Sequence, residues 1–438
     1  MAANGRSASF VTMGCAKNEV DSEHMATRLM QAGYELLDDP EAADVVIVNT
    51  CSFIQAATEE SIDAILEVAG YDSVASGRAH LVVAGCMPSR YGGDLESELP
   101  EAGSFVPCAD ESSIVAVVDE LLGVERLPGN DRSVMVGGSD LPSCVSAYVK
   151  ISDGCDRFCA YCAIPYIRGR YHSFSEEDIA AEVQRQIGRG AREIVLIAQD
   201  TGRWGRDFQE KSSLANLVSH LAERHPNTWF RIMYIQPEGV TDELVDAIAS
   251  HGNICNYFDI PFQHANAAIL KSMNRSGSAA EHLELLDRIR ARVPDATLRT
   301  TVIAGYPGEG DEEFEELCGF VEEACLDYVG AFAFSREEGT RAYGLDGQVD
   351  EEDKLSRLQT IRDLADAVCS ARIAQRIGSE VDVLVCGAEE DGQLYGRAMS
   401  QAPDVDGVTY LDRGEIGQIV RVRLDDTLLY EMEGTVVS

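Results

Sequence analysis

The 438-residue chain lacks the features of a membrane or secreted protein. No stretch approaches the about 20 consecutive apolar residues that a membrane-spanning helix needs. The N-terminus has no basic region leading into an apolar stretch, so we expect no secretion signal. Solenoid repeats and low-complexity tracts are also missing, which excludes repeat architectures. We therefore expect a cytoplasmic protein of two to four domains.

Basic residues are scarce: 36 Lys and Arg stand against 75 Asp and Glu, a net charge of -39. The net charge is -16 for residues 1–122, -15 for residues 123–374 and -8 for residues 375–438. The two ends are thus about twice as acidic per residue as the middle. Such a surface repels phosphate and attracts basic partners. A generally acidic proteome is the alternative explanation for this charge.

Cysteine is abundant, and 13 cysteines in a cytoplasmic protein argue against a disulfide framework and for metal, redox or catalytic use. The sharpest pattern is Cys155-Asp-Arg-Phe-Cys159-Ala-Tyr-Cys162. Three thiolates at this spacing can hold three irons of a [4Fe–4S] cluster, and the missing fourth cysteine leaves one iron open. A zinc site and unligated core cysteines are the alternatives, although zinc favours four ligands and CxxC pairs.

A second set of cysteines consists of Cys15, Cys51 and Cys86, each of which follows a predicted strand. Because the carboxyl ends of parallel strands share one edge of a sheet, three such loops can converge on one point. This placement favours a second three-cysteine cluster. The alternative is that these are buried cysteines that only pack in the core. The seven cysteines without ligand spacing receive no role: Cys108, Cys144, Cys255, Cys318, Cys325, Cys369 and Cys386.

The chain alternates strands and helices over most of its length. Residues 1–122 contain predicted strands at 9–13, 45–49 and 81–84 and helices at 19–31 and 58–68, which indicates a parallel sheet with helices on its faces. Residues 123–143 are rich in Gly, Pro and Asp and predict a linker. Residues 144–374 repeat the strand–helix unit six times, enough for an open barrel. The predicted strands there are 147–152, 193–199, 229–235, 257–262, 298–305 and 328–334, and the helices are 176–188, 214–223, 242–250, 279–292 and 312–324.

The C-terminal part has a different secondary-structure pattern. A long helix over 351–377 is followed by short alternating strands at 381–385, 394–398, 418–424 and 428–437, typical of a small barrel. The predicted fold class is therefore α/β. It comprises an N-terminal parallel α/β sandwich, a central open (β/α)6 partial barrel and a C-terminal small all-β barrel.

The motif with Tyr161 before its last cysteine resembles that of the radical S-adenosylmethionine (SAM) superfamily. Together, the two cysteine sets resemble the radical SAM methylthiotransferases along essentially the whole chain. This resemblance implies a cluster-binding N-terminal domain at 1–122, a radical SAM core at 144–374 and a substrate-binding TRAM barrel at 375–438. It also implies two [4Fe–4S] clusters, held by Cys15, Cys51 and Cys86 and by Cys155, Cys159 and Cys162.

The resemblance further implies that two SAM molecules take part, one as methyl donor and one as radical source. An external electron donor and a sulfur source are required as partners, and no catalytic residue besides the cluster ligands is implied. The residues expected at SAM lie in the cluster loop and at strand ends: Tyr161, Gln199, Ile303 and Gly305. The alternative is that the strand-end residues have ordinary structural roles.

Three segments are similar to the branch of this family that modifies an aspartate of the twelfth protein of the small ribosomal subunit. They are Gly14-Cys-Ala-Lys-Asn-Glu-Val-Asp-Ser-Glu23, Tyr234-Ile-Gln-Pro-Glu-Gly239 and Asp259-Ile-Pro-Phe-Gln-His264. Phe262 stands where Leu is usual, and the segment Cys51-Ser-Phe-Ile54 has Ser52 in place of the usual Gly. The implied product carries a methylthio group on the β-carbon of that aspartate.

Two alternatives remain at this point. One is a tRNA adenosine methylthiotransferase, and the other is a non-catalytic two-cluster electron carrier or assembly scaffold. A tRNA-binding barrel should be basic, because phosphate neutralisation dominates nucleic-acid affinity. The charge of -8 over residues 375–438 instead suits a basic ribosomal protein. We therefore expect a protein substrate and neither a nucleic acid nor a membrane.

Overall fold

A computed structural model of the chain describes residues 6–125 and 144–437. Its contacts form two compact units. The first contains the N-terminal α/β domain together with Gly154–Asp156 and Cys162–Tyr171. Of the described residues, the second unit contains 144–153, Arg157–Tyr161 and all residues from His172 onward. Residues 126–143 of the predicted linker lie outside the described residues. The predicted domain boundaries stay predictions.

The N-terminal domain is built on a five-stranded parallel sheet with helices on both faces. The central strand is buried along its whole length, as expected for a parallel sheet covered on both sides. The strands are β1 (Ser7–Thr12), β2 (Glu35–Leu36), β3 (Val45–Thr50), β4 (His80–Gly85) and β5 (Ser104–Pro107), in the order β2-β1-β3-β4-β5. The helices are α1 (Ala16–Gln31), α2 (Gln55–Ala69), α3 (Asp72–Ala75), α4 (Cys86–Tyr91), α5 (Asp94–Glu98) and α6 (Ile114–Leu121).

The register of this sheet aligns the carboxyl ends of its strands. Asn49 pairs with Thr12, and Gly85 pairs both with Thr50 and with Pro107. The loops after β1, β3, β4 and β5 therefore leave from one edge of the sheet. The short outer strands β2 and β5 were not predicted, because two to four residues are too few to show a periodic pattern.

The second unit contains the six predicted strands of an open (β/α)6 partial barrel. The strands are β6 (Ser146–Lys150), β7 (Ser152–Asp153), β8 (His172–Ser173), β9 (Glu193–Ile197), β10 (Trp229–Ile232), β11 (Tyr257–Asp259), β12 (Thr297–Ala304) and β13 (Tyr328–Ala333). They form two three-stranded parallel sheets, β10-β9-β6 and β11-β12-β13, and a small antiparallel pair, β7-β8. A parallel bridge joins Phe230 of β10 to Ile254, which precedes β11.

Several helices of the partial barrel begin at a Ser or Thr whose side chain caps the first turn. Ser175 Oγ accepts a hydrogen bond from Asp178 N at 3.1 Å, and Thr241 and Ser278 cap the later helices in the same way. The helices are α7 (Ile164–Ile167, which belongs to the first unit), α8 (Glu176–Gly188), α9 (Leu214–Arg224), α10 (Asp242–Ser250), α11 (Ala267–Ser272), α12 (Ala279–Arg292), α13 (Asp311–Ala324) and α14 (Glu351–Ala374).

The C-terminal strands close into a five-stranded barrel. Its strands are β14 (Glu380–Ala388), β15 (Leu394–Ala398), β16 (Thr409–Leu411), β17 (Ile419–Leu428) and β18 (Glu431–Val436), of which the three-residue β16 was not predicted. Their order is β14-β15-β16-β18-β17. Along β17 buried and exposed residues alternate, with Val420, Val422 and Leu424 facing the interior. Closure pairs the strand edges, so the predicted small all-β barrel is confirmed.

A buried ionic network joins this barrel to the partial barrel within the second unit. Glu193, the first residue of β9, contacts Arg231 of β10 at 2.8 Å and Arg397 of β15 at 2.6 Å. Asp406 accepts a hydrogen bond from the Tyr257 hydroxyl at 2.7 Å.

None of the helices in the described part of the chain combines the length and apolarity that crossing a bilayer requires.

Candidate functional site

The cysteines predicted at the N-terminal sheet edge lie together. Cys51 follows β3, Cys86 begins α4 directly after β4, and Cys15 precedes α1, where its carbonyl accepts hydrogen bonds from Asn18 N and Glu19 N. The Cys51 and Cys86 side chains are within hydrogen-bonding reach, and Cys15 is close enough for its charge to act on Cys51. Residues separated by about 70 positions thus meet because the parallel strands end at one edge.

Two glycines make this convergence possible. Gly14 has a φ of +91°, and a Cβ there would lie 2.4 Å from Cys51 Cβ and 2.9 Å from its sulfur. Gly85 has a φ of +90°, and a Cβ there would lie 2.2 Å from Asn49 Oδ1. Real Cβ atoms do not approach other atoms this closely, and the left-handed conformation favours glycine. Both glycines are therefore needed to let the cysteine loops approach.

A buried arginine provides positive charge beside these thiols. Arg168 Nη2 donates hydrogen bonds to Asn18 Oδ1 and to Asp21 Oδ2, both at 2.8 Å. Asn18 in turn donates from Nδ2 to the carbonyls of Met13 and Thr50, each at 2.9 Å. Asn18 thus ties the first cysteine loop to the end of β3, and Arg168 holds Asn18 in place.

The thiols of this group differ in acidity. The hydrogen bond from Cys86 lowers the pKa of Cys51, and the Arg168 charge also acts to lower it. For Cys86, a hydrogen bond from Cys108 lowers the pKa, but its bond to Cys51 and its burial outweigh this and raise the pKa to about 12. Thiolates are the form in which cysteine binds iron, so the buried cation favours the ligand state.

The donor set has the chemistry of an iron–sulfur cluster. Within residues 6–125 and 144–437, no three His, Cys, Asp or Glu side chains are arranged to hold one metal ion. The cysteines of a [4Fe–4S] cluster bind different irons and need not converge on one atom. Soft thiol donors on a shared sheet edge, with a cation next to them, have the chemistry that such a cluster requires.

The second cysteine motif lies in the loop between β7 and α7. Cys155 N donates to the Gly169 carbonyl at 3.1 Å, and Gly154 before it has a φ of +74° with no room for a Cβ. Cys155 and Cys162 belong to the first unit and Cys159 to the second. In the second unit, the buried Arg275 interacts with the Cys159 thiol. This contact gives the motif a cation comparable to Arg168.

The predicted SAM residues fall into two groups. Tyr161 and Ile303 pack against the same apolar cluster, which includes Tyr306 and Phe334. Gly305, two residues after Ile303, has a φ of +76° and donates its N–H to Glu309 Oε1 at 2.8 Å. The structure therefore brings three of the four residues to the end of β12 and its surroundings.

Gln199 follows the end of β9, two residues after Ile197. Its Nε2 and Oε1 are both buried and have no hydrogen-bond partner among the described residues. One oxygen each of Asp200 and Gln236 is in the same situation within this part of the chain. Buried polar atoms are normally paired, so these atoms require a polar ligand or ordered water. The strand ends of this unit thus fit a polar cofactor such as SAM.

Sequence reasoning missed several residues of these sites. Asn18 stands inside the quoted Gly14–Glu23 segment and could have been singled out from it. Cys108 directly follows β5, as Cys51 and Cys86 follow their strands, but β5 itself was not predicted. No sequence motif pointed to Arg168 or Glu309, because tertiary contacts determine which residues they pair with.

Comparison with known proteins places three regions of the chain in described families. Residues 7–106 match the uncharacterized protein family UPF0004, residues 149–321 match the radical SAM superfamily, and residues 377–437 match the TRAM domain. Fold and family together define a radical SAM enzyme that carries a TRAM barrel.

Relatives similar along nearly the whole chain define the family more closely. The ribosomal protein uS12 methylthiotransferase RimO of Clostridioides difficile is 39% identical, over 97% of this chain and 98% of its own. Those of Geobacter sulfurreducens and Desulforudis audaxviator are 40% and 41% identical, over 98% of this chain and 98% and 96% of theirs. The chain belongs to the family of ribosomal protein uS12 methylthiotransferases.

Solved structures support the fold at low identity. TsrM from Kitasatospora setae, a radical SAM methyltransferase, has a TM-score of 0.57 and 13% identity, covering 77% of this chain and 74% of its own. The cobalamin-dependent enzyme OxsB has a TM-score of 0.52 and 12% identity, with coverage of 83% and 56%. These comparisons confirm the predicted family, the fold class and the transferase class. They also confirm the predicted cofactors, which are two [4Fe–4S] clusters and SAM. The tRNA alternative is not favoured.

Proposed function

We propose that this chain attaches a methylthio group to the β-carbon of an aspartate in ribosomal protein uS12. The observation that carries this proposal is its similarity, over 97% of its length, to relatives named for that substrate. The two cysteine sets and the TRAM barrel supply the parts that such an enzyme needs. The carrier or scaffold alternative has no use for buried, unpaired polar groups at the barrel strand ends.

We assign the two clusters to the two cysteine sets. Cys15, Cys51 and Cys86 would hold one cluster at the sheet edge of the first unit. Cys155, Cys159 and Cys162 would hold the other in the β7–α7 loop. Each set has three cysteines, so one iron of each cluster is left for a ligand that is not protein.

The SAM residues have separable tasks in this assignment. Tyr161 and Ile303 would provide apolar contact, while Gln199 would pair its unsatisfied amide with a polar group of SAM. Gly305 allows close approach of the backbone, and Glu309 fixes its N–H. Bound SAM and cluster supply the one-electron chemistry that removes a hydrogen atom from an unactivated carbon. The protein orients the cofactor and excludes water from it.

The acidic surface supports a basic protein as substrate. The C-terminal barrel, residues 375–438, carries -8, which complements a basic ribosomal protein and repels nucleic acid. An external electron donor and a sulfur source would complete the reaction. Because uS12 is a ribosomal protein, we propose that the enzyme acts in the cytoplasm.

The test uses anaerobically reconstituted protein with SAM, a reductant, a sulfide source and recombinant uS12. We expect 5′-deoxyadenosine by chromatography and a uS12 peptide whose aspartate has gained one methylthio group by mass spectrometry. The Cys159→Ala variant should form neither product, and Cys325→Ala, an exposed cysteine on α13's C-terminal side, should form both.

A deletion strain separates the proposed substrate from tRNA. We expect unmodified uS12 and intact methylthio-adenosine in tRNA. Loss of methylthio-adenosine with modified uS12 still present would refute the proposal. Absence of 5′-deoxyadenosine from reconstituted, reduced protein would favour the scaffold alternative.

A further inference from the structure

Cys108 extends the row of cysteines at the N-terminal sheet edge. The neighbouring strands β3, β4 and β5 are in register, with Gly85 paired to Thr50 on one side and Pro107 on the other. The next residue on each strand is a cysteine: Cys51, Cys86 and Cys108. Since neighbouring strands lie about 4.8 Å apart, Cys108 stands beside Cys86 on the side away from Cys51.

The side chain of Cys108 is held against Cys86. Cys108 packs on the small buried cluster that Cys86 forms with Ala163 and Ile167. Its backbone N–H donates to Ser89 Oγ at 2.8 Å, and Ser89 Oγ donates to the Gly85 carbonyl at 3.1 Å. Ser89 is part of α4, the helix that Cys86 begins. The position of Cys108 is therefore fixed relative to that of Cys86.

The pair has a defined donor and acceptor. The two side chains are within hydrogen-bonding reach of each other. A cysteine that binds iron is a thiolate with no proton to donate, so Cys86 as a cluster ligand can only accept the hydrogen bond and the Cys108 thiol is its donor. Hydrogen bonds to the sulfurs of an iron–sulfur cluster favour the reduced, more negative state.

We propose that Cys108 is a positioning residue of the N-terminal cluster, which donates a hydrogen bond from its thiol to the Cys86 sulfur without binding iron and thereby raises the cluster's reduction potential. The inference rests on the proposed function only in taking Cys86 as a cluster ligand. A non-ligating Cys108 also leaves one iron open, as the three-cysteine assignment requires.

The experiment is a potentiometric titration of the reconstituted full-length protein, followed by electron paramagnetic resonance, without SAM or substrate. We compare the wild type with Cys108→Ala, Cys108→Ser and Cys318→Ala, the last a half-buried cysteine on α13. We expect the N-terminal cluster of Cys108→Ala to be reduced at a more negative potential. Cys108→Ser, whose hydroxyl can donate, should stay near the wild type, as should Cys318→Ala. The second cluster's wave serves as an internal control.

The other outcomes overturn the inference. Loss of one cluster in both Cys108 variants would make Cys108 an iron ligand. An unchanged potential in Cys108→Ala, or equal shifts in the Ala and Ser variants, would exclude the hydrogen bond as the cause. A single wave in the wild type would refute the ligand assignment and this inference with it. Failure of methylthio transfer alone would not affect the titration.

Discussion

Arg168 and Asp21, 147 positions apart in the sequence, form a buried ion pair of 2.8 Å beside the N-terminal cysteines. Both side chains are almost fully buried, at 3% and 1% exposure. The same Arg168 nitrogen also donates to Asn18 Oδ1. The pair therefore links the segment that follows Cys162 to the helix that follows Cys15, within one compact unit.

Replacing Arg168 should destabilise this unit and weaken cluster binding. Arg168→Met breaks the buried ion pair with Asp21 by removing its cation, which typically costs about 3–5 kcal/mol. We expect a lower unfolding temperature by calorimetry and a lower iron content after reconstitution. Arg170→Met, which removes an exposed arginine two residues away, should change neither. An unchanged iron content in Arg168→Met would show that the cation does not support the thiolates.

Substitution of Gly14 should displace Cys51. In Gly14→Ala the new Cβ would overlap Cys51 Cβ at 2.4 Å, so the loop must shift and about half of the iron should be lost. Gly33→Ala is the matched control, because Gly33 has nearly the same φ, +90°, but open space around it. It should cost about 1 kcal/mol through backbone strain and keep its iron. Equal iron contents in the two variants would rule out the steric argument.

Removal of the second cysteine set should leave the first cluster in place. The triple variant Cys155→Ala/Cys159→Ala/Cys162→Ala should retain about half of the wild-type iron and sulfide, measured by chemical analysis. The corresponding triple variant of Cys15, Cys51 and Cys86 should also retain about half. Loss of all iron from either variant would contradict two independent clusters.

Glu193 should make the junction with the C-terminal barrel acid-sensitive. Burial acts to raise the pKa of Glu193, but the charges of Arg231 and Arg397 outweigh it and hold the pKa at about 2 instead of 4.5. The folded state thus binds the proton less readily than the unfolded state, so the stabilisation is complete above about pH 4.5 and is lost as the pH falls towards 2. It amounts to about 3 kcal/mol.

The measurement compares Glu193→Gln with the wild type in denaturant titrations between pH 7 and pH 2.5. We expect the variant to be less stable at pH 7 and the difference to shrink as the pH falls. Glu177→Gln, at an exposed position of α8, is the control. A difference that does not depend on pH would mean that charge does not stabilise this junction.

Glu309 should affect SAM binding without affecting the clusters. Its carboxylate, fully buried, accepts hydrogen bonds from Gly305 N and Arg357 and contacts His264 Nε2 at 3.1 Å. Glu309→Ala removes the side-chain partner of Gly305 N and His264 Nε2, at about 1–3 kcal/mol each, and frees the Gly305 turn, while Arg357 keeps its ion pair with Asp311. We expect a Kd for SAM about tenfold higher, with unchanged iron content. Glu315→Ala, at an exposed position of α13, should leave the Kd unchanged, and an unaltered Kd in Glu309→Ala would separate the turn from SAM.

Much of the architecture was predictable from local pattern. The predicted helices 176–188, 242–250 and 279–292 have the bounds that the structure shows, and Ser175, Thr241 and Ser278 fix where they begin by capping their first turns. Short elements escaped prediction, since two to four residues show no period. The omission of β5 also concealed the role of Cys108, whose pattern becomes visible once that strand is placed.

The sequence by itself determined the chemistry: two sets of three cysteines, the strand–helix repeats and the acidic C-terminal barrel follow from residue type and spacing, which are local properties. The tertiary structure decided which side chains surround the cysteines. Arg168, Asn18 and Cys108 reach them through strand register and helix packing, and Glu309 reaches Gly305 through the turn after β12. These contacts depend on how distant segments pack, and packing leaves no periodic or compositional signal in a single sequence.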